Sequence, residues 1–322
     1  MDGSSRKIEI FAPFGAALEL TKLILFRPFD LGKWCVIGFA AFLAHLAGGG
    51  FNFSYKRGFP GNWNWNYRSF SDVTDTTSAM PGWLLPVLIV GGVFVTILAV
   101  VLLWIGSRGR FVFTDCVVRN RGAIVEPWNE FGKEGNSLFF FSLLVGLAMM
   151  AVIAIAGIPV WVPLIFHPDD VGGAGFAIGL IVLAVVAVCL LLPMAIISMF
   201  MVPIMYRRRC GALEAFRTAV ALVFAEPGPV ILYVLFVIVL WIAFSLVACV
   251  ATCVTCCITA IPYVGTVILL PAYVFFMSFL LLFLRQFGPE YDVWAGVTAV
   301  QAPTESTVPP PPSPPEPPPL QV

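Results

Sequence analysis

Charged side chains in this chain are gathered into short clusters, and between the clusters run long stretches with none. Trp34 to Ala44, Gly82 to Gly106, Leu138 to Phe166, Val171 to Tyr206 and the double-length run Pro229 to Leu284 contain no Asp, Glu, Lys or Arg. A helix crossing a bilayer core needs about 20 consecutive apolar residues. The pattern therefore predicts an all-α, polytopic membrane protein with six transmembrane helices near 34–50, 83–106, 137–166, 176–205, 229–252 and 263–286. The third and fourth are longer than a crossing requires. They carry Pro159, Pro163, Pro193 and Pro203, so kinks or tilt are expected to absorb the excess.

The clusters set the orientation. Arg6, Lys7, Lys22, Arg27 and Lys33 precede the first run, and Arg108, Arg110, Arg119, Arg121 and Lys133 follow the second. Arg207, Arg208, Arg209 and Arg217 follow the fourth, and Arg285 ends the sixth. With alternating spans these fifteen of eighteen basic residues share one side, leaving only Lys56, Arg57 and Arg68 opposite. Basic residues accumulate on the cytoplasmic side, so both termini are expected in the cytoplasm, with the multi-pass chain in a bacterial inner membrane. The N-terminus carries Glu9, Glu19 and Lys22 and lacks an unbroken apolar core, so it does not read as a cleaved signal.

The basic side also holds a recurring pattern. Ala17-Leu18-Glu19-Leu20-Thr21-Lys22 and Ala212-Leu213-Glu214-Ala215-Phe216-Arg217 share the form A-L-E-x-x-[KR], each leading to a proline, Pro28 or Pro227; Asp115, Arg119 and Glu126-Pro127 form a fainter copy. Leu213, Phe216, Val220 and Phe224 fall on one helical face, with Glu214, Arg217 and Thr218 opposite. This predicts interfacial amphipathic helices on the cytoplasmic side. Two readings stay open: a threefold unit of interfacial helix plus two-span hairpin, or short matches among ordinary entry segments.

The chain divides accordingly into a cytoplasmic N-terminus (1–33), a membrane domain (34–287) and a tail (288–322). The membrane domain includes an exterior loop at 51–82 and cytoplasmic loops at 107–136 and 206–228. The exterior loop is rich in Asn, Trp and Tyr, from Asn62 to Tyr67, which suits either a headgroup-level belt or a small folded cap. The tail, with Pro309 to Pro312 and Pro317 to Pro319, is expected as disordered polyproline II. It serves as a spacer or as a docking strand for a protein partner.

Composition adds mainly exclusions. Hydrophobic residues make up 60% of the 322, charged residues 11%, and net charge is zero, so nucleic acid is not an expected partner. The charge-free runs hold no Asp, Glu, Lys or Arg, residues that bind ions or relay protons at the bilayer midplane. That argues against an ion-coupled pump. His167 in His167-Pro168-Asp169-Asp170 reads as a turn or as a metal site, and His45 as facing a helix neighbour or the outer interface. Cys249, Cys253, Cys256 and Cys257 cluster at the outer end of the fifth span. They read as packing residues, a disulfide or a redox or metal pair. Arg207, Arg208 and Arg209 read either as a topogenic signal or as a contact for anionic lipid headgroups. Gly175 and Gly179 have the small-xxx-small spacing of close helix contacts. No cofactor and no catalytic residue is expected.

The segments Phe26 to Trp34, Val117 to Arg121, Pro262 to Gly265 and Leu284 to Asp292 resemble bacterial multi-pass inner-membrane proteins of unknown function. More loosely, the interfacial-helix-plus-hairpin layout is similar to the membrane domain associated with glycerophosphodiester phosphodiesterases. The first resemblance implies an integral membrane protein; the second carries no catalytic residue onto this chain. The expectation is a non-enzymatic protein that organises or binds membrane lipids, or an accessory subunit. The alternative is a passive channel or carrier for a neutral or lipidic substrate.

Overall fold

The computed structural model describes residues 9, 11–46, 83–166, 173–254 and 262–295. The exterior loop, His167, Cys256, Cys257 and the proline-rich tail lie outside the described residues. Among those described there are helices and no strand. In chain order they are α1 (Phe11–Phe26), α2 (Leu31–His45), α3 (Leu84–Val118), α4 (Val125–Glu130), α5 (Gly132–Ala156), α6 (Ile158–Phe166), α7 (Ala174–Arg208), α8 (Ala212–Ala225), α9 (Pro227–Val254), α10 (Pro262–Ile268) and α11 (Leu270–Arg285).

Among the described residues, four helices are long and apolar enough to cross a membrane: Pro86–Val118, Gly132–Ala156, Ala174–Arg208 and Pro227–Val250. The first and last expected spans correspond to α2 and α11, which are apolar but only 15 and 16 residues long. At 1.5 Å per residue these cover about 22 and 24 Å, less than the roughly 30 Å of a hydrocarbon core. Local chemistry sets their limits. Asp30 caps α2 by accepting from the backbone N–H of Gly32 at 2.8 Å and Lys33 at 3.3 Å. Pro271 at the start of α11 cannot continue α10, because it lacks an N–H and its ring clashes with the preceding turn.

Three expectations need correction. The cytoplasmic loop at 107–136 is mostly helical: α3 continues unbroken to Val118, and α4 and α5 follow closely. Nothing between Gly106 and Val118 breaks a helix, and Asp115 pairs with Arg119 one turn on, at 3.0 Å. The fainter copy of the interfacial pattern is therefore split between the buried end of α3 and the six-residue α4. The third expected span is divided at Gly157, ahead of Pro159, into α5 and α6.

Packing is concentrated at the charged end. Phe111, Val112 and Cys116 of α3, Phe200, Ile204 and Met205 of α7, and Phe279 and Phe283 of α11 are fully buried or nearly so. Ile37 and Ala40 of α2 and Ala17 of α1 join them. Gly109 makes one close approach: a Cβ there would lie 2.7 Å from the Leu43 backbone of α2. The other halves of the long helices are bare apolar surface. Val90 and Phe94 of α3 are 68% and 66% exposed, and Leu246 of α9 is 66% exposed. Such faces suit hydrocarbon, not water.

Two of the three segments expected as interfacial helices are helical, as α1 and α8. On α8 the small residues Ala212, Ala215 and Ala219 pack inward with Leu222, while Leu213 and Phe224 project outward. A Cβ at Gly179 of the small-residue pair would lie 3.2 Å from Pro159 and Val160 of α6, whereas one at Gly175 would meet nothing within 4 Å.

Candidate functional site

Two polar groupings occur on opposite sides of the C-terminal part of α3. The first is closed on itself. Asp115 is fully buried. It accepts from Tyr206 Oη at 2.9 Å and pairs with Arg119 and Arg121, each at 3.0 Å. Arg119 also reaches Glu130 at 3.1 Å, and Arg121 reaches Glu126 at 2.7 Å. Burial works against the charge on Arg119, but Asp115 and Glu130 outweigh it and hold the guanidinium above its ordinary pKa. Lys33 of α2 ties in by donating to Asn120 Oδ1 at 2.6 Å.

Arg108, higher on α3, is equally engaged. It donates to Asn136 Oδ1 at 3.0 and 3.2 Å and lies over the rings of Trp104 and Trp128, at 4.7 and 5.4 Å from their centroids. Trp104 Nε1 donates to the same oxygen at 3.1 Å.

The second grouping is a cavity of about 540 Å³. Its walls are Ala44 and His45 of α2, Arg110 and Phe113 of α3, Leu192 to Pro203 of α7, Val234 to Trp241 of α9 and Tyr273 to Leu280 of α11. Aromatic side chains hold α9 at this spacing. Tyr233 stacks on Phe283 with centroids 4.1 Å apart, Phe236 meets Phe279, and Phe244 meets Tyr273 and Phe276. Leu192 and Ile238 line the cavity yet are 52% and 46% exposed, which marks an opening on the apolar flank of the bundle. His45 leans on the Tyr273 ring, with centroids 4.7 Å apart, so it faces a helix neighbour.

Among the described residues, Arg110 is the one charged residue in the lining. Among the described residues no carboxylate pairs with it and its guanidinium donates no hydrogen bond. It stands two residues from Arg108 and on the other side of the helix. Basic-residue counting reads both arginines alike, as topological markers, and does not distinguish this one. The signal was present: Arg110 and Asp115 flank Phe111-Val112-Phe113-Thr114, with no break between them.

The residues singled out by sequence are placed as follows. Arg208 pairs with Glu290 and lies 5.3 Å from the Tyr291 ring centroid. Arg209 pairs with Glu130, lies 3.7 Å from Glu134 and covers the Phe131 ring. Arg207 keeps a buried Nε without a partner. Cys249 is a free, exposed cysteine on α9. Cys253 falls within α9, but its side chain is outside what is described. Among the described residues, no group of three or more His, Cys, Asp or Glu is arranged to hold a metal ion.

No curated protein and no solved structure matches the chain, so the looser phosphodiesterase likeness gains no support from them. A family model matches residues 9–306, and on that match the chain belongs to a family of unknown function, DUF7544.

Proposed function

We propose that this protein is a non-enzymatic, lipid-binding integral membrane protein, with the cavity between α7, α9 and α11 as the lipid site. The observation that carries this reading is the lateral opening. An apolar cavity of about 540 Å³, in the size range of ligand pockets, meets the bare apolar flank beside Leu192 and Ile238. A hydrocarbon chain enters such a site from the bilayer without crossing water. Asp115, Arg119, Arg121, Glu126 and Glu130 at the basic end are taken up in internal pairs, which suits a structural role for them.

The same proposal keeps six membrane-embedded helices, both termini in the cytoplasm and a bacterial inner membrane. In it, α2 is the first crossing, and α10 with α11 forms the last. Both rest on the basic-residue bias and the charge-free runs. The repeated unit becomes α1 with α2–α3, α4 with α5–α7, and α8 with α9–α11; the tail is a spacer or a docking strand. A passive carrier is the second reading, favoured by that same cavity if its occupant exchanges between leaflets.

Native mass spectrometry of the protein released from mild detergent tests the lipid-site reading. One amphiphile per chain is expected, lost when Ala195→Trp fills the cavity. A wild-type spectrum without bound amphiphile contradicts it.

A further inference from the structure

We infer that the cavity takes an acidic lipid, with its carboxylate or phosphate on Arg110 and its hydrocarbon chain along α7 and α9. The inference rests on the lipid-site reading above and adds which lipids the site selects.

Charge is the first argument. A guanidinium withdrawn from water is costly without an anion or acceptor beside it. Arg108, Arg119, Arg121, Arg208 and Arg209 each have a protein partner. Arg110 has none among the described residues, and the cavity lining contains no Asp or Glu. His45, the other ionisable ring at the wall, lies within electrostatic reach of Arg110 and supplies no negative charge. The Thr114 hydroxyl donates to the Arg110 carbonyl at 2.8 Å and brings no negative charge. The described residues supply no countercharge, and an anionic oxygen head matches the guanidinium fork.

Position is the second argument. Arg110 lies four residues beyond Gly106, where the charge-free run of α3 ends. From Pro203 to Leu192 the α7 wall then follows the cavity over twelve residues, about 16 Å of helix axis, toward the exposed apolar flank. A head at Arg110 therefore has a chain-length apolar path beside it. A free anion would use the arginine and waste the path.

The test uses the full chain, delipidated in nonionic detergent, with phosphatidylglycerol, oleate, phosphatidylcholine or inorganic phosphate added before native mass spectrometry. The expected result is a roughly tenfold preference of the wild type for an acidic over a zwitterionic amphiphile, the size of one charge-assisted hydrogen bond. Phosphatidylglycerol retention assigns a phosphate head and oleate retention a carboxylate; either supports the inference. Arg110→Gln should abolish the preference while still binding one amphiphile, Arg110→Lys should keep most of it, and Arg208→Gln should keep all of it. Monodisperse elution of each variant excludes misfolding as the cause. A preference that survives Arg110→Gln, or inorganic phosphate displacing the lipid, overturns the inference. Equal binding of acidic and zwitterionic lipid by the wild type, with both lost in Ala195→Trp, overturns it and spares the lipid-site reading. Absence of any bound amphiphile in the wild type sinks both.

Discussion

Arg108 and Arg110 are two residues apart on one helix and live in opposite circumstances. Arg108 is enclosed by Trp104, Trp128 and Asn136, on the side of α3 where Asp115 also finds all its partners. Arg110 faces a cavity to which the described residues bring no countercharge. The difference separates two uses of charge near a membrane. On one side charge is internally neutralised and fastens helices together. On the other it is left open, at a cost in stability, which is how a binding site is told from a scaffold.

The largest effect should come from the closed side. Asp115→Ala leaves Arg119, Arg121 and the Tyr206 hydroxyl facing an empty position, and loss of one member of a buried pair costs about 3–5 kcal/mol. Thermal unfolding in detergent should show it, and Asp115→Asn should restore part. A loss under about 1 kcal/mol would mean that the cluster is not a fastening.

Next in size is the contrast between packed and bare halves of α3. Gly109→Val drives a side chain into the Leu43 backbone and should cost about 1–3 kcal/mol or more by overpacking. Gly91 has nothing within 4 Å of its Cβ position, so Gly91→Ala should be neutral or stabilising by about 0.5–1 kcal/mol. Equal losses at both positions would erase the distinction between the halves.

The arginine pair itself comes third. Arg108→Gln gives up two ring contacts and its bonds to Asn136, worth about 1–2 kcal/mol together. Arg110→Gln removes an unpaired charge, so stability of the lipid-free protein should hold or rise slightly. A larger loss at Arg110 than at Arg108 would show that Arg110 has an internal partner.

The smallest effect concerns Cys210, between α7 and α8. Burial, and then the carboxylate of Glu214, raise its thiol pKa, so less reactive thiolate forms at a given pH. Maleimide labelling should lag that of a model thiol near pH 8, and Glu214→Gln should quicken it. Labelling as fast as the model thiol would contradict this.

Much of the architecture was legible from charge spacing alone. The runs ending at Tyr206 and beginning at Pro229 place α7 and α9 to within a few residues, because lipid tolerates so few charges. Alternation of charge says less about where a helix stops. Arg108, Arg110 and Asp115 made the inner end of α3 read as a loop, although packing against α2 and pairing with Arg119 keep it helical. The cavity was illegible for a different reason. It arises from aromatic spacers such as Tyr233 and Phe244 meeting α11 residues some thirty to fifty positions away, and no local pattern encodes that meeting.

The central claim is that lipid occupies one place in this molecule instead of coating its apolar faces evenly. Photolysis of a diazirine-tagged fatty acid with the full-length protein in vesicles, followed by peptide mapping, addresses it directly. The account predicts adducts concentrated on 192–203 of α7 and 234–241 of α9, and lost in Ala195→Trp. Adducts spread equally over exposed faces such as 87–98 of α3, and unchanged by that substitution, would contradict it.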